Sequence, residues 1–254
     1  MTQESFFVYN AQSTANLIIT VEHAGNEWPE DEPIFGMPNN WHAQHYAYDF
    51  GVKELALKLG KTLNCPVVLS RYSRVLIDLN RIVGAEDIIR TSNDGVDFPM
   101  NANPQNLQDQ RIARYYVPYH AKIRELLDYP ARKHVSIHSY IKRKMTDHTG
   151  FENPWQLGIQ YPCSTPMAQS ALAFFGQLPN VVVGDNLPYN LRQGLPGAIS
   201  LHAAAFGRDT VELEFRDDQF KNPDLDNFWY EETSKWLAKC VLTFIPTLKG
   251  KYYT

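Results

Sequence analysis

Cysteine is scarce in this sequence of 254 residues. Cys65, Cys163 and Cys240 are its three cysteines, and no two of them form a Cys-x-x-Cys pair. Disulfide-rich secreted domains and cysteine-ligated zinc sites need more cysteines at closer spacing. The sequence therefore predicts that the three thiols are not bridged and that the chain works in a reducing compartment, most simply the cytoplasm.

An excess of positive charge and long apolar runs are also missing. The 24 Lys and Arg residues are outnumbered by 28 Asp and Glu residues, and the net charge of −4 argues against nucleic acid as the default partner. No apolar run approaches the roughly 20 residues of a membrane-spanning helix, and the first residues lack the basic and apolar regions of a signal peptide. We therefore expect neither nucleic acid nor a membrane as a partner, and the composition indicates no particular oligomeric state.

The sequence contains no internal repeat, low-complexity tract or Gly/Ser linker, so we expect residues 1–254 to form a single domain. Short apolar runs alternate with longer segments that are apolar at helical spacing, which is the pattern of an α/β sandwich around a mostly parallel or mixed sheet. The second of these helical segments should adjust at Pro118. Strands are predicted within residues 16–22, 65–70, 74–80, 134–139, 155–162, 180–186 and 210–215, and helices within residues 48–64, 104–130, 167–178, 197–207 and 222–248.

Polar side chains follow or end the apolar interiors of five predicted strands. The carboxyl ends of parallel strands meet at one edge of a sheet, which is where such folds bind their ligands. Taken alone, a histidine at a strand end is more often a hydrogen-bonded loop residue than a ligand, so the prediction rests on the pattern as a whole. The residues concerned are Glu22, His23, Asp78, Asn80, Arg81, His138, Ser139, Asp185, Asn186, Glu212, Glu214 and Arg216.

Two of these histidines and a carboxylate would suit a zinc ion. Catalytic zinc sites use three protein ligands, often imidazole nitrogens and carboxylate oxygens, and leave one position open for water. His23 and His138 are the best-placed histidines, and the residues alone leave Glu22, Glu27 and Asp49 as alternatives for the third ligand. We therefore predict one zinc ion per chain, or another divalent metal in its place.

A general base and a carboxylate-binding arginine would complete the site. Glu214 could take a proton from the activated water, as positioned carboxylates do in general base catalysis. Arg81 presents a planar guanidinium that can bind a substrate carboxylate through two parallel hydrogen bonds, although it could also simply pair with Asp78. Together these groups predict hydrolysis of an amide in a small acidic molecule.

Seven short motifs occur in the order found in one enzyme family: "EHAGN", "YDFG", "SRYSRVLIDLNR", "YVPYH", "SIHS", "DNLPYN" and "VELEFRDD". Through them the chain resembles the N-formylglutamate amidohydrolase family over roughly residues 15–220. The resemblance implies a three-layer α/β/α sandwich with a mixed, mostly parallel central sheet, similar to zinc carboxypeptidases and aspartoacylase-like deacylases. It also implies cleavage of N-formyl-L-glutamate to formate and glutamate, the last step of one histidine-degradation route.

The resemblance further implies roles for individual residues. His23 of "EHAGN" and His138 of "SIHS" would bind the metal, and Asn80 with Arg81 would hold the substrate carboxylate. Glu214 of "ELEF" would act first as the general base and then as the acid that protonates the leaving amine. The implied partner is therefore a small acidic N-acyl amino acid as substrate.

The third metal ligand departs from the pattern of carboxypeptidase-like enzymes, which usually supply two ligands from a His-x-x-Glu segment. Asn26 occupies the position of that glutamate, and Glu27 follows one residue later. Some zinc amidases that cleave peptidoglycan place a carboxylate ligand where Asp49 stands in this chain. We therefore expect Asp49 to be the ligand, at the beginning of the first helix, with Glu27 or Glu22 as alternatives. Asp49 could instead simply stabilise the start of that helix.

Further residues are candidates for the surroundings of the site. Arg74 or Arg216 could stabilise the oxyanion that forms during amide hydrolysis. Asn186 and Tyr189 of "DNLPYN" could contact the substrate, or the segment could merely form a turn built from Asn and Pro. His45 could act as an outer hydrogen-bond partner that orients a metal ligand.

Two other functions fit the same residues. A cell-wall peptide amidase or peptidase could use the same scaffold, although the absence of an export signal counts against it. A non-catalytic domain that binds a carboxylated metabolite without metal would be favoured if the third ligand position were empty and Glu214 formed a salt bridge with Arg216. The main prediction is a metal-dependent amidohydrolase.

Overall fold

Seven strands form a central sheet in the computed structural model, which describes residues 4–129, 131–143, 148–193, 197–202 and 207–242. Two further strands form a separate hairpin. In chain order the strands of the described residues are β1 (Phe6–Tyr9), β2 (Leu17–Val21), β3 (Val67–Ser70), β4 (Ser92–Asn93), β5 (Val96–Asp97), β6 (Lys133–Tyr140), β7 (Leu157–Gln160), β8 (Val183–Asp185) and β9 (Thr210–Arg216).

The sheet is mixed and mostly parallel. Its strand order is β1-β3-β2-β6-β9-β7-β8. β2 pairs in parallel with β3 and β6, and β6 pairs in parallel with β9. β1 is antiparallel to β3, β7 is antiparallel to β9, and β8 runs parallel to β7. The carboxyl ends of β2, β6 and β9 therefore meet at one edge of the sheet.

Helices cover both faces of this sheet, which confirms the predicted three-layer α/β/α sandwich. The α-helices of the described residues are α1 (Val52–Thr62), α2 (Pro104–Arg111), α3 (Val117–Leu127), α4 (Pro166–Phe175), α5 (Ala198–His202) and α6 (Pro223–Leu242). Successive side chains of a strand point to opposite faces. Leu17 and Ile19 of β2 accordingly join the core under α1, α4 and α6, while Ile18 joins the core under α3.

The sheet face toward α3 and α5 is polar along β6 and β9. Both strands carry polar side chains at every second position, and the period of two keeps them on one face. These side chains are buried, although polar groups are costly to bury unless they are paired. In the pairing register, His134, Ser136 and His138 of β6 lie beside Thr210, Glu212 and Glu214 of β9.

The strand predicted at residues 74–80 is wrong. The segment forms turns instead of joining the sheet, although Val75 and Leu76 are buried. Side chains from elsewhere in the chain take the hydrogen bonds that a neighbouring strand would take. Arg111 donates to the carbonyl oxygen of Leu76, and Asn101 donates to that of Val75. The apolar run belongs to a buried loop.

Other predictions differ from the structure at element boundaries. The first predicted helix begins at Val52 rather than at residue 48, so Asp49 lies in the loop before it. A π-helical turn at Ile112–Tyr116 interrupts the long predicted helix, close to the adjustment predicted at Pro118. Strands β1, β4 and β5 are not predicted from the sequence. Residues 203–206 and 243–248 of two predicted helices lie outside the described residues.

The three cysteines form no disulfide. Within the described parts of the chain, no helix combines the length and the apolar character needed to cross a membrane.

Candidate active site

Three buried side chains converge at the carboxyl edge of the sheet: His23, Asp49 and His138. The Nδ1 atoms of the two histidines lie 3.1 Å apart. The Oδ2 atom of Asp49 lies 3.3 Å from Nδ1 of His23 and 2.9 Å from Nδ1 of His138. Each residue thus directs one donor atom at a common point.

Backbone contacts hold the three residues in this arrangement. His23 follows β2, and its carbonyl oxygen accepts a hydrogen bond from the N–H of Asp49 over 3.0 Å. His138 lies in β6, and the N–H of the next residue, Ser139, donates to Oδ2 of Asp49 over 3.2 Å. Gly51, at a φ of 75°, then turns the chain into α1 in a left-handed conformation that favours glycine. The carboxylate is therefore placed by the loop and not by the helix.

The outward ring nitrogens of both histidines contact buried carboxylates. Nε2 of His23 lies 2.8 Å from Oδ1 of Asp78, and Nε2 of His138 lies 3.0 Å from Oε2 of Glu22. Metal-binding histidines almost always make such a contact, which orients the ring and sets the tautomer that presents the other nitrogen to the metal. Asp78 and Glu22 are therefore placed to orient the two rings.

The charges around this group favour a cation at its centre. Burial acts to lower the pKa of His138, but its hydrogen bonds with Asp49 and Glu22 raise that pKa well above its usual value. Burial acts to raise the pKa of Asp49, but the charge of His23 and the hydrogen bonds with both histidines bring it below its usual range. The carboxylate of Asp49 is thus held in its charged form at the point where the three side chains meet.

The donor set and its spacing fit a metal ion. Ligand atoms about 2.0–2.1 Å from a tetrahedral zinc ion lie about 3.3 Å from one another. The donor atoms of His23, Asp49 and His138 are separated by 2.9–3.3 Å, so they match one face of such a tetrahedron. Two imidazoles and one carboxylate could therefore hold a divalent cation.

A cavity of about 300 Å³ opens beside these donor atoms. This volume lies at the lower end of the range for small-molecule sites, about 300–1,000 Å³. Its lining combines positive, negative and neutral polar side chains, which suits a small polar molecule. Among the lining residues are Arg74, Asn80, Arg81, Arg90, Gln160, Tyr189, Glu212 and Glu214.

Glu214 and Glu212 line the cavity from β9, where they pair with His138 and Ser136 of β6. Glu214 is 6% exposed, and its Oε2 atom has no hydrogen-bond partner among the described residues. Burial raises the pKa of Glu214 well above its usual value, and the carboxyl group of Glu212 adds to the rise against the opposing charge of His138. Oε2 of Glu212, by contrast, accepts a hydrogen bond from Nδ2 of Asn80 over 3.4 Å. Glu214 therefore brings a buried carboxyl group with an unpaired oxygen to the cavity.

Two of the cavity arginines form ion pairs with Asp49 and Asp78. Arg74 lies 3.3 Å from Oδ1 of Asp49 and 2.8 Å from Oδ2 of Asp78. Arg90 also contacts Oδ2 of Asp78, over 3.1 Å. These ion pairs fix both guanidinium groups beside the cavity, where they form a cationic wall suited to an anionic group.

A family model for N-formylglutamate amidohydrolase matches residues 15–220, which is most of the chain. The chain belongs to the N-formylglutamate amidohydrolase family. It is therefore a hydrolase of the class that acts on carbon–nitrogen bonds other than peptide bonds. A comparison with curated proteins found no significant match.

Two solved structures are similar to this amidohydrolase over almost the whole chain. Gene product Atu2144 from Agrobacterium tumefaciens has a TM-score of 0.82 at 24% sequence identity, over 94% of this chain and 96% of its own. N-formylglutamate amidohydrolase from Ralstonia eutropha JMP134 has a TM-score of 0.70 at 16% identity, over 94% of this chain and 98% of its own. At these identities the similarity shows the shared fold alone.

Most residues that the sequence predicts for this amidohydrolase site lie together. His23, Asp49 and His138 form the convergent group, and Glu214, Arg74, Arg81, Asn80 and Tyr189 line the cavity beside it. Arg81 donates from Nε to Asp87 over 2.8 Å and from one terminal nitrogen to the carbonyl oxygen of Asn80 over 2.9 Å. Oδ1 of Asn80 accepts a hydrogen bond from the N–H of Ala198 over 2.7 Å, so this amide supports the start of α5.

The two alternative metal ligands have other contacts. Oε2 of Glu27 lies 3.3 Å from Arg71, and the Glu27 side chain is 50% exposed. Glu22 contacts the outward nitrogen of His138 and also accepts a hydrogen bond from the hydroxyl of Tyr119 over 3.1 Å. Neither carboxylate belongs to the convergent group formed by the two histidines and Asp49.

Three further predicted residues contact other parts of the chain. Arg216 donates to both carboxylate oxygens of Asp218, over 2.8 and 3.1 Å. Asn186 lies in the turn that follows β8, and its Oδ1 accepts a hydrogen bond over 3.1 Å from the N–H of Tyr161, which follows β7. His45 lines the cavity, and its Nε2 lies 3.5 Å from a carboxylate oxygen of Asp94. The structure shows no contact between these three residues and His23 or His138.

Several cavity residues are not predicted from the sequence, among them Arg90 and Gln160. Arg90 lies in an irregular segment, where no periodicity indicates which side chains point inward. Gln160 ends β7, and its place in the cavity follows from the antiparallel pairing of β7 with β9. Single-sequence patterns do not indicate which strands are neighbours, so no signal in the sequence could have found Gln160.

Proposed function

We propose that this chain hydrolyses N-formyl-L-glutamate to formate and L-glutamate, the reaction that would complete a histidine-degradation route. The proposal rests on two features that share one cavity in this member of the family. Three convergent metal-binding donors lie beside Glu214, a buried carboxyl group with one unpaired oxygen. Metal-assisted amide hydrolysis needs these two parts, a Lewis acid site and a proton carrier.

We propose that His23, Asp49 and His138 hold one zinc ion. Their donor set contains two nitrogens, which favours zinc over calcium or magnesium, because those ions prefer oxygen ligands. When bound, zinc supplies a Lewis acid that polarises the acyl carbonyl group and lowers the pKa of water. Asp78 and Glu22 keep the two imidazole rings oriented for this role.

Glu214 is the proposed proton carrier. It takes a proton from the attacking water and delivers a proton to the amide nitrogen as the carbon–nitrogen bond breaks. A carboxyl group whose pKa is raised by burial can hold that proton at neutral pH and act as an acid toward the leaving amine. Its neighbour Glu212 is engaged with Asn80 and is less suited to the role.

The arginines are the proposed binding groups for the anionic parts of the reaction. Arg81 is anchored by Asp87 and by the carbonyl oxygen of Asn80, and the hydrogen bonds of the described residues leave its second terminal nitrogen for a substrate carboxylate. Arg74 is held against Asp49, one of the proposed metal ligands, over 3.3 Å. From there its guanidinium can stabilise the negative charge that develops on the carbonyl oxygen.

Two observations favour this function over its rivals. Arg216 pairs with Asp218 and not with Glu214, so the salt bridge that would favour a metal-free binding domain does not form. The cavity volume of about 300 Å³ suits a single N-acyl amino acid better than a cell-wall peptide.

The proposal is tested by metal content and turnover in the same preparations. Protein purified without chelator should contain about one zinc ion per chain and should release formate from N-formyl-L-glutamate. Both the metal and the activity should be lost in the His23→Ala and His138→Ala variants, whereas Glu27→Gln should retain both. Absence of metal under every loading condition would overturn the zinc site, and absence of formate release by the metal-loaded protein would overturn the substrate.

A further inference from the structure

Gln160 at the end of β7 lines the cavity, and its side chain is 0% exposed. Neither its Oε1 nor its Nε2 atom has a hydrogen-bond partner among the described residues. An unpaired buried polar group destabilises the folded state, and the large majority of such groups in proteins are paired. A buried amide that faces a cavity with both atoms unpaired is therefore a candidate for contact with a ligand.

The pairing of β7 with β9 places this amide beside the proposed proton carrier. In the antiparallel register Gln160 lies opposite Glu212, and Gly158 lies opposite Glu214. A Cβ at Gly158 would lie 2.3 Å from the carbonyl oxygen of Leu187 and 3.3 Å from Cβ of Glu214, so the close approach of these groups requires glycine. Gln160 and Glu214 therefore belong to the same wall of the cavity.

The charges of the side chains in this wall determine which part of a substrate it can bind. The carboxyl groups of Glu212 and Glu214 offer a substrate carboxylate no opposite charge, so the carboxylate is better bound by an arginine. Arg81, the proposed binding group for the carboxylate, lines the cavity together with Arg74 and Arg90, which contact Asp78. β7 pairs with β9 on the side away from β6 and β2, so Gln160 enters the cavity from a strand that carries none of the proposed metal ligands. A neutral amide matches the donor and acceptor of its side chain.

We propose that Gln160 is a specificity residue that binds the scissile amide group of the substrate. Its Oε1 atom accepts a hydrogen bond from the substrate N–H, and this contact turns the amide nitrogen toward Glu214. The inference rests on the proposed function, since it assigns the acyl end of an N-acyl amino acid to the β7 side of the cavity. Gln160 thereby distinguishes N-acylated amino acids from free ones, which lack an amide N–H.

The first test compares Gln160→Leu with Gln219→Leu. Gln219 is a buried glutamine whose amide is paired: its Oε1 accepts from Trp229 over 3.1 Å and its Nε2 donates to Asp218 over 2.8 Å. Gln160→Leu should lower kcat/KM for N-formyl-L-glutamate at least about tenfold and leave Tm unchanged or raised, because it removes an unpaired buried amide. Gln219→Leu should lower Tm and leave kcat/KM within about twofold, because it breaks two hydrogen bonds away from the cavity. A Tm loss in Gln160→Leu as large as that in Gln219→Leu, or an unchanged kcat/KM, would overturn the proposal.

A binding measurement separates this inference from the proposed substrate. We expect N-formyl-L-glutamate and N-acetyl-L-glutamate to raise the Tm of the wild type more than free L-glutamate does, and the difference to disappear in Gln160→Leu. If the wild type fails to hydrolyse N-formyl-L-glutamate but shows this Gln160-dependent shift with another N-acyl amino acid, the proposed substrate is wrong and the inference stands. If the wild type shows no shift with any N-acyl amino acid, or if Gln160→Leu keeps the shift, the inference is overturned.

Discussion

Asp78 contacts His23 through Oδ1, which lies 2.8 Å from Nε2 of the imidazole ring. The same carboxylate oxygen accepts the N–H of Asn80 over 2.9 Å, and the other oxygen contacts Arg74 and Arg90 over 2.8 and 3.1 Å. One buried carboxylate therefore connects a proposed metal ligand with the cationic wall of the cavity. Loss of the Asp78 carboxylate should therefore affect both the metal ligand His23 and the arginines of the cationic wall.

Asp78→Asn should weaken zinc binding about 10–100-fold, as is typical when the outer partner of a ligating histidine is removed. The amide has nearly the same shape but carries no charge to orient the His23 ring or to offset the two arginines. Competition between the protein and a chelating indicator measures the effect. Glu27→Gln is the matched control, because its Arg71 partner lies outside the convergent group. Equal zinc affinity in Asp78→Asn and the wild type would contradict the role given to Asp78.

Glu214→Gln should lower kcat about 10²–10⁴-fold and change KM by less than about threefold, because the amide can contact the substrate but cannot carry a proton. Formate release measures the rate, and zinc content should stay the same. Glu212→Gln is the comparison: a glutamine can still accept the hydrogen bond from Asn80, so we expect a loss below about tenfold. A larger loss of kcat in Glu212→Gln than in Glu214→Gln would assign the role of proton carrier to Glu212 instead.

The sequence predicts the strands that carry the site, because those strands are buried. β2 sits between β3 and β6 with helices on both faces, and such a strand reads as a continuous apolar run. The period of two in β6 and β9 likewise puts His138 and Glu214 on one face. His23, His138 and Glu214 could therefore be placed near one another before the fold was known.

The loop that contains Asp78 could not be predicted in the same way. Its apolar run has the composition of a strand, and the hydrogen bonds that keep it out of the sheet come from Asn101 and Arg111, 26 and 35 residues away. Long-range contacts of this kind leave no periodic signal. The same limit explains why the sequence offers only Arg81 as an alternative partner for Asp78, while the contact of Asp78 with His23 requires the tertiary structure.

Arg111→Met should lower the free energy of unfolding by about 3–5 kcal/mol, because it leaves the charge of Glu32 buried without its partner. Arg111 is 0% exposed and donates to Oε2 of Glu32 over 3.1 and 3.0 Å as well as to the loop at Leu76. Urea unfolding measures the change. Adding Glu32→Gln should recover part of the loss, since it removes the unpaired charge.

The exposed ion pair between Arg114 and Asp31 is the control for that experiment. Its atoms lie 2.7 Å apart, but the Asp31 side chain is 60% exposed, so Arg114→Met should cost much less stability than Arg111→Met. If Arg111→Met costs no more than Arg114→Met, the buried pair does not hold the loop in place.

Three buried histidines should make the fold sensitive to acid. Burial lowers the pKa of His120 and of His134 to about 4, and it also lowers the pKa of His202. The pKa of an unfolded histidine is about 6.5, so between pH 6.5 and about pH 4 the unfolded chain binds more protons than the folded one. The free energy of unfolding should therefore fall as the pH is lowered through this window, by about 1–2 kcal/mol per histidine between pH 6.5 and pH 5.

Urea unfolding at pH 7 and pH 5 tests the origin of this loss. Nε2 of His134 lies 2.8 Å from the hydroxyl of Thr20, and His134→Gln can keep that hydrogen bond without titrating, so this variant should lose less stability between the two pH values than the wild type. His42 is exposed, and His42→Gln should lose as much as the wild type. Because all three proteins share the metal-binding group and its carboxylates, the contribution of those groups cancels in the comparison. An equal loss of stability in all three proteins would show that groups other than His134 cause the acid sensitivity.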